Sequence, residues 1–138
     1  MEHSFAYAIT RLSRNFSAYC NNQLQERGLS LSLLYYIVYI HHCPGCTPGQ
    51  LSAALGQDTG YTTRCLDKLM QSGFIQREKS PQDRRAWVLH LTPQGEEIFH
   101  ISHDLFHQWD DQILTTLEPD ERSQLIALLR RLPTEKGD

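Results

Sequence analysis

Between residues 57 and 93 the chain reads QDTGYTTRCLDKLMQSGFIQREKSPQDRRAWVLHLTP, and this run leaves a folding chain few options. Its first half has helical periodicity. On a 3.6-residue wheel Thr62, Cys65, Leu66 and Leu69 share one side, and Gly60, Thr63, Arg64, Asp67 and Gln71 share the other. Asp58 is the N-cap residue of this helix and Gly73 its stop. The second half switches to two short strands, residues 74–79 and 86–91, joined by a polar tip at 80–85 that ends in Arg84 and Arg85. A small, basic helix face followed directly by an arginine-tipped ribbon is the constraint that the rest of the chain must accommodate.

The segment just upstream adds a second short helix. Thr47 and Gln50 have the spacing of a capping box, Pro48 occupies the first helical position, Leu51, Ala54 and Leu55 give one apolar face, and Gly56 ends it. Two short helices with a tight turn between them form a helix-turn-helix, and the ribbon makes it a winged one. Residues 4–27 form a longer helix with a stripe of Phe5, Ile9, Leu12, Phe16, Tyr19 and Leu24. Ser30 caps a second helix running to about His42, whose buried face is Leu33, Leu34, Ile37 and Ile40. After the ribbon, Thr92 and Pro93 start a long helix to about Leu117 with Ile98, Ile101, Leu105, Trp109 and Ile113 along it. Glu118, Pro119 and Asp120 start a last helix carrying Leu125, Leu128, Leu129 and Leu132, with Pro133 as its stop.

The fold class is therefore mainly α with a small β-wing: a winged helix-turn-helix at residues 30–92, flanked by N- and C-terminal helices at 1–28 and 93–138. All of it forms a single domain, as a length of 138 residues allows. The flanking helices carry more apolar surface than a small reading module needs, and a helical dimer interface is their natural use.

Charge decides what the module faces. The net charge of −3 argues at first against a polyanionic partner, but residues 59–95 net +3 while residues 96–138 net −6. One face is thus suited to phosphates and the other is not. No apolar run reaches membrane-spanning length and the N-terminus lacks a signal-peptide pattern, so the expected compartment is the cytoplasm. Four cysteines without a secretion signal read as thiols, ligands or core residues rather than a disulfide framework.

In this order and spacing the chain resembles the MarR family of bacterial winged-helix regulators. The carrying residues are Thr47 through Leu51 with Leu55, Thr63 and Arg64 with Asp67 and Leu69, Gly73, Phe74 and Ile75 with Arg77, then Asp83, Arg84 and Arg85, and Leu91 and Thr92 with Gly95. The resemblance implies a homodimer that represses transcription from a pseudo-palindromic operator in double-stranded DNA. Its reading helix would lie in the major groove and its wing in the adjacent minor groove, and release would follow a small-molecule effector or an oxidant. Gly60 and Tyr61 depart from the small hydroxyl residues more common there.

The DNA-contacting set is Thr59, Gly60, Tyr61, Thr63, Arg64 and Lys68 on the reading helix and Arg84 and Arg85 on the wing. Arg64 has the two-armed geometry for a guanine edge, and Lys68 suits a phosphate. Arg77 and Asp83 are read as wing-stabilising, Asp83 pairing with Arg77 or one neighbour to stiffen the tip. Cys43-Pro44-Gly45-Cys46, preceded by His41 and His42, is open to three readings: a tight loop with small thiols, a redox pair, or metal sensing. Cys20 and Cys65 are expected to be packing residues. His100, His103 and His107 have ligand-like spacing but read more simply as a solvated stripe, and Tyr35, Tyr36 and Tyr39 are candidates to line an effector pocket. No catalytic constellation, cofactor motif or resident metal site is assigned. An enzyme would have to use the CPGC thiols, for which no nucleophile–base pair appears.

Overall fold

A computed structural model describes residues 3–133. The elements in order are α1 (Phe5–Leu24), a single 3₁₀ turn (Gln25–Arg27), α2 (Leu31–His42), α3 (Pro48–Leu55), α4 (Thr59–Gln71), β1 (Ile75–Lys79), β2 (Trp87–Leu91), α5 (Pro93–Ile113) and α6 (Pro119–Arg130). The chain forms two compact units, one running through Leu105 and one beginning at Phe106.

In the first unit, local chemistry sets the helix boundaries. The Ser30 hydroxyl accepts the Leu33 N–H at 3.3 Å, and the Asn21 side chain accepts the Leu31 N–H at 2.7 Å, so the α1–α2 corner satisfies the donors that open α2. The Thr47–Gln50 capping box forms in both directions, at 2.9 and 3.2 Å. The core gathers around α2. Leu33, Leu34, Tyr36, Ile37 and Ile40 are buried there, with Leu51 of α3, Cys65, Leu66 and Leu69 of α4, and Ile75, Val88 and Leu89 of the ribbon. Of the three residues read as the apolar face of α3, Leu51 is buried and Leu55 half-buried, but Ala54 is exposed. Eight residues make only two turns, and one turn suffices to reach the core.

The ribbon is antiparallel, with Ile75 opposite Leu91 and Lys79 opposite Trp87. Each strand starts one residue later than the sequence suggests. Phe74 donates its N–H to the Leu69 carbonyl and closes the end of α4, and Ala86 donates to the Asp83 carbonyl inside the tip turn. At the ribbon's root Thr92 donates its hydroxyl to the Gly73 carbonyl at 2.6 Å and accepts the Gly95 N–H at 3.1 Å. Gly95 has to be glycine here, because a Cβ would sit 2.1 Å from the Phe74 carbonyl oxygen. This close approach fastens the first turn of α5 to the wing.

In the second unit α5 ends at Ile113 rather than near Leu117. The Thr115 hydroxyl bonds the carbonyls of Asp111 and Gln112, and Arg122 Nε bonds that of Leu114 at 3.1 Å, so side chains replace the next helical turn. Glu121 accepts the Glu118 N–H at 2.8 Å to open α6. Within that unit α6 buries no residue and leaves Ile126 and Leu128 exposed, and Leu132 just beyond its end is exposed too. In the first unit α1 likewise exposes Phe5 (59 %), Ile9 (43 %) and Leu12 (40 %).

Candidate nucleic-acid interface

The path into α4 is tightly specified. The Gln57 N–H returns to the Ser52 carbonyl at 3.0 Å, and the Asp58 carboxylate accepts the Tyr61 N–H at 2.6 Å. Beneath the helix Thr62, Cys65, Leu66 and Leu69 are buried, and the Thr62 hydroxyl shares a buried hydrogen bond of 3.0 Å with the Tyr36 hydroxyl of α2. That bond fixes the rotation of α4 about its own axis, because a buried hydroxyl without a partner costs about 1–3 kcal/mol.

The outward face is as the wheel places it. Thr59, Gly60, Thr63, Arg64, Asp67, Lys68 and Gln71 are exposed, and Tyr61 is half-buried. The Thr63 hydroxyl donates to the Thr59 carbonyl at 2.9 Å, which leaves its lone pairs to accept from a ligand. Gly60 leaves the backbone bare at the start of the helix. An added Cβ there would meet Asp58 Oδ1 at 3.4 Å and Arg64 Nη1 at 3.5 Å, so the Arg64 guanidinium lies back along the first turn. Its Cζ stands 6.0 Å from the Tyr61 ring, and among the described residues no acid is within ion-pair distance of it, Asp67 included.

The wing tip is a compact turn. Ser80 and Ala86 are joined by a backbone bond of 3.0 Å, the Ser80 hydroxyl accepts the N–H groups of Gln82 and Asp83, and the Asp83 carboxylate accepts the Arg85 N–H at 2.9 Å. Asp83 thus stiffens the tip through a neighbour's backbone, not through Arg77. Arg77 instead lies over the Trp87 ring, Cζ 4.4 Å from its centroid, and Lys79 Nζ lies 5.2 Å from the same ring. The guanidinium gains an aromatic face in the next strand, whereas the acid sits beyond the strand end. Arg84 and Arg85 are exposed and, among the described residues, unpaired. Sequence reading passed over Lys79 and Trp87. The two-residue alternation of β1 contained the signal, but only once the Lys79–Trp87 register was known.

The CPGC segment is a turn tied to the wing. Gly45 has φ +84, Cys46 N–H bonds the Cys43 carbonyl at 3.1 Å, and Gly45 N–H and Leu89 N–H form bonds of 2.9 Å to the Leu89 and Cys46 carbonyls. Cys43 is exposed and Cys46 buried, and burial together with the neighbouring Cys43 pushes the Cys46 thiol up to about 11. A cleft of ≈ 570 Å³ opens here, lined by Tyr39, Cys43, Cys46, Gln50, Ala53 and Ala54 among others. Hydrogen bonding to Cys43, then burial, raises the Tyr39 phenol. Of the three tyrosines read as pocket candidates, Tyr39 lines this cleft, Tyr36 is buried and Tyr35 is exposed.

His41 and His42 are engaged with α5. His41 Nδ1 lies 2.7 Å from Glu96 Oε2 and its ring stacks on Phe99 at 3.5 Å between centroids, with His42 edge-on to the same Phe99. Among the described residues no three His, Cys, Asp or Glu side chains come together as a metal-binding group. Cys20 and Cys65 are buried, and burial pushes the Cys20 thiol up to about 11.

Comparison with known proteins agrees with this geometry. The model of the MarR family matches residues 29–87. The chain is 43 % identical over 136 residues to the HTH-type transcriptional regulator BilQ of Clostridium symbiosum, covering 99 % of this chain and 94 % of that one. It is 39 % identical over 114 residues to the multiple antibiotic resistance protein MarR of Salmonella typhimurium, covering 81 % and 78 %. A crystal structure of a cysteine-to-serine variant of MarR from E. coli, complexed with operator DNA, superposes with a TM-score of 0.79 at 26 % identity, covering 93 % of each chain.

Proposed function

The chain belongs to the MarR family of transcriptional regulators, and we propose that it is a sequence-specific DNA-binding repressor acting as a homodimer on a pseudo-palindromic operator. The carrying observation is the two-sided build of α4: Thr62, Cys65, Leu66 and Leu69 are locked into the core, while Gly60, Thr63 and an acid-free Arg64 face outward. On this reading α4 enters the major groove, with Thr59, Gly60, Tyr61, Thr63 and Arg64 near base edges and Lys68 at a phosphate. Arg84 and Arg85 reach the neighbouring minor groove. The operator-bound relative supports this arrangement.

Residues 30–92 are assigned to DNA reading, and residues 1–28 with 93–138 to dimerisation. Residues 1–2 and 134–138 of those spans lie outside the described residues. The exposed Phe5, Ile9 and Leu12 of α1, Ile126 and Leu128 of α6, and Leu132 just after it support a second copy as their cover. Among the described residues no helix is long and apolar enough to cross a membrane. The proposed site of action is the bacterial cytoplasm, and the proposed role is regulation without catalysis.

The test is selection of bound duplexes from a random pool, followed by a salt titration on the winner. Log K is expected to fall by ~0.9 per log unit of salt for each phosphate neutralised, and Arg84→Ala with Arg85→Ala to make the slope shallower by ~1.8 while weakening all sequences evenly. Failure to enrich any duplex, with salt-insensitive binding, defeats the proposal.

The CPGC cleft favours a second reading concerning release by a small ligand or an oxidant. A hydroperoxide meeting the exposed Cys43 would take two electrons and two protons from the pair, leaving a Cys43–Cys46 disulfide, an alcohol and water. Because Cys46 is hydrogen-bonded to Leu89, the new bond would strain the base of the wing. Operator affinity measured before and after peroxide should drop for the native chain and hold for Cys43→Ser. Equal responses exclude this route.

A further inference from the structure

The wing carries its cations in two places that are built differently. Arg84 and Arg85 stand at the tip with no aromatic or acidic partner among the described residues, whereas Arg77 and Lys79 stand along the ribbon over one indole, 4.4 and 5.2 Å from the centroid of Trp87. Register explains the stack. Lys79 is directly opposite Trp87 and Arg77 is opposite Leu89, so these side chains share one side of the ribbon, with Arg77 diagonal to the indole. Toward the helices the same row continues as the buried Leu89 and Ile75, and it turns cationic only where it leaves the core.

The acids nearby are occupied elsewhere. Glu78 is on the opposite row and pairs with His90 at 2.8 Å, and Asp83 accepts the Arg85 N–H. Among the described residues, therefore, no carboxylate pairs with Arg77 or Lys79. Their companion is a ring that restrains them and leaves both positive charges intact. Trp87 is 37 % exposed, too open to be explained as core packing.

We propose that Trp87 is a positioning residue that holds Arg77 and Lys79 as a second phosphate-binding pair on the flank of the wing, separate from Arg84 and Arg85 at its tip. The ligand is the phosphodiester backbone of duplex DNA. The guanidinium offers a two-donor fork and the ammonium a point charge, and neither reads sequence. The inference rests on the DNA-binding reading above.

The experiment uses the full chain on the duplex it selects, with affinities measured across a salt series for the native protein, Trp87→Leu, Trp87→Phe, Arg77→Ala/Lys79→Ala, and that double variant with Trp87→Leu added. Trp87→Leu keeps both charges, so affinity should fall roughly tenfold, the ordering of two long side chains no longer done in advance, with the salt slope unchanged. The double variant should have a slope shallower by ~1.8. Adding Trp87→Leu to it should cost nothing more, because the indole has no cations left to hold. Trp87→Phe should recover most of the loss.

The inference is overturned by native affinity in Trp87→Leu, by a native slope in the double variant, or by an equal cost of Trp87→Leu in both backgrounds, which would make the indole a mere brace of the ribbon. Circular dichroism and melting confirm that each variant folds. If Trp87→Leu does not, the double variant's slope and its comparison with Trp87→Phe decide alone. A native chain that binds no duplex fails the DNA reading itself, whereas a slope sensitive to Arg84 and Arg85 but not to Arg77 and Lys79 sinks only the flank site.

Discussion

Helix α4 is fastened along its whole inner face, whereas the wing is fastened only at its root. Four buried residues and the Tyr36–Thr62 bond hold α4, which is also capped at its start by Asp58. The ribbon buries Ile75, Val88 and Leu89 close to the helices. Beyond them it relies on two antiparallel strands, a hydrogen-bonded tip and the indole stack. The difference matches two tasks. Choosing between base edges needs donors held to within a fraction of an ångström, and hence a stiff base, while neutralising phosphates tolerates an arm with some freedom.

Four substitutions probe that contrast. Leu69→Ala removes a side chain that is 1 % exposed beneath α4, and should lower unfolding free energy by about 2–5 kcal/mol in urea titrations. A loss near zero would mean that α4 is not held from below. Arg64→Ala should leave the melting temperature nearly unchanged, yet reduce discrimination at one operator base pair by ~1–3 kcal/mol when matched and single-mismatch duplexes compete. An even loss across all duplexes would instead make Arg64 a phosphate contact. The smallest effects compare two aspartates that both accept a backbone N–H: Asp58→Ala should cost ~1 kcal/mol as a lost helix cap. Asp83→Ala, at an exposed tip, should cost less than ~0.5 kcal/mol. Equal shifts in melting temperature would show that the wing tip contributes as much to global stability as the start of α4.

The features legible in the sequence are those governed by neighbours a few residues apart. The Thr47–Gln50 box, the Ser30 and Asp58 caps and the division of α4 into buried and outward residues all follow from local spacing. What local spacing does not contain went otherwise. Of the two partners open to Asp83 it takes the neighbouring Arg85 N–H while Arg77 stacks on Trp87, α5 stops at Ile113 with Thr115 on the carbonyls of Asp111 and Gln112 and Arg122 on that of Leu114, and Ala54 faces the cleft instead of the core. Each depends on a partner set by strand register, a following helix or the depth of a groove.

The residues between 57 and 93 by themselves determined a two-sided helix and a short ribbon, since helical and strand periods are properties of the chain alone. Only the tertiary structure decided which side chains meet across that pattern: Tyr36 with Thr62, Cys46 with Leu89, Arg77 and Lys79 with Trp87. The physical reason is range. Caps and periods act within one or two turns, whereas hydrogen bonds and ring contacts between elements exist only after burial has fixed how those elements are rotated and registered.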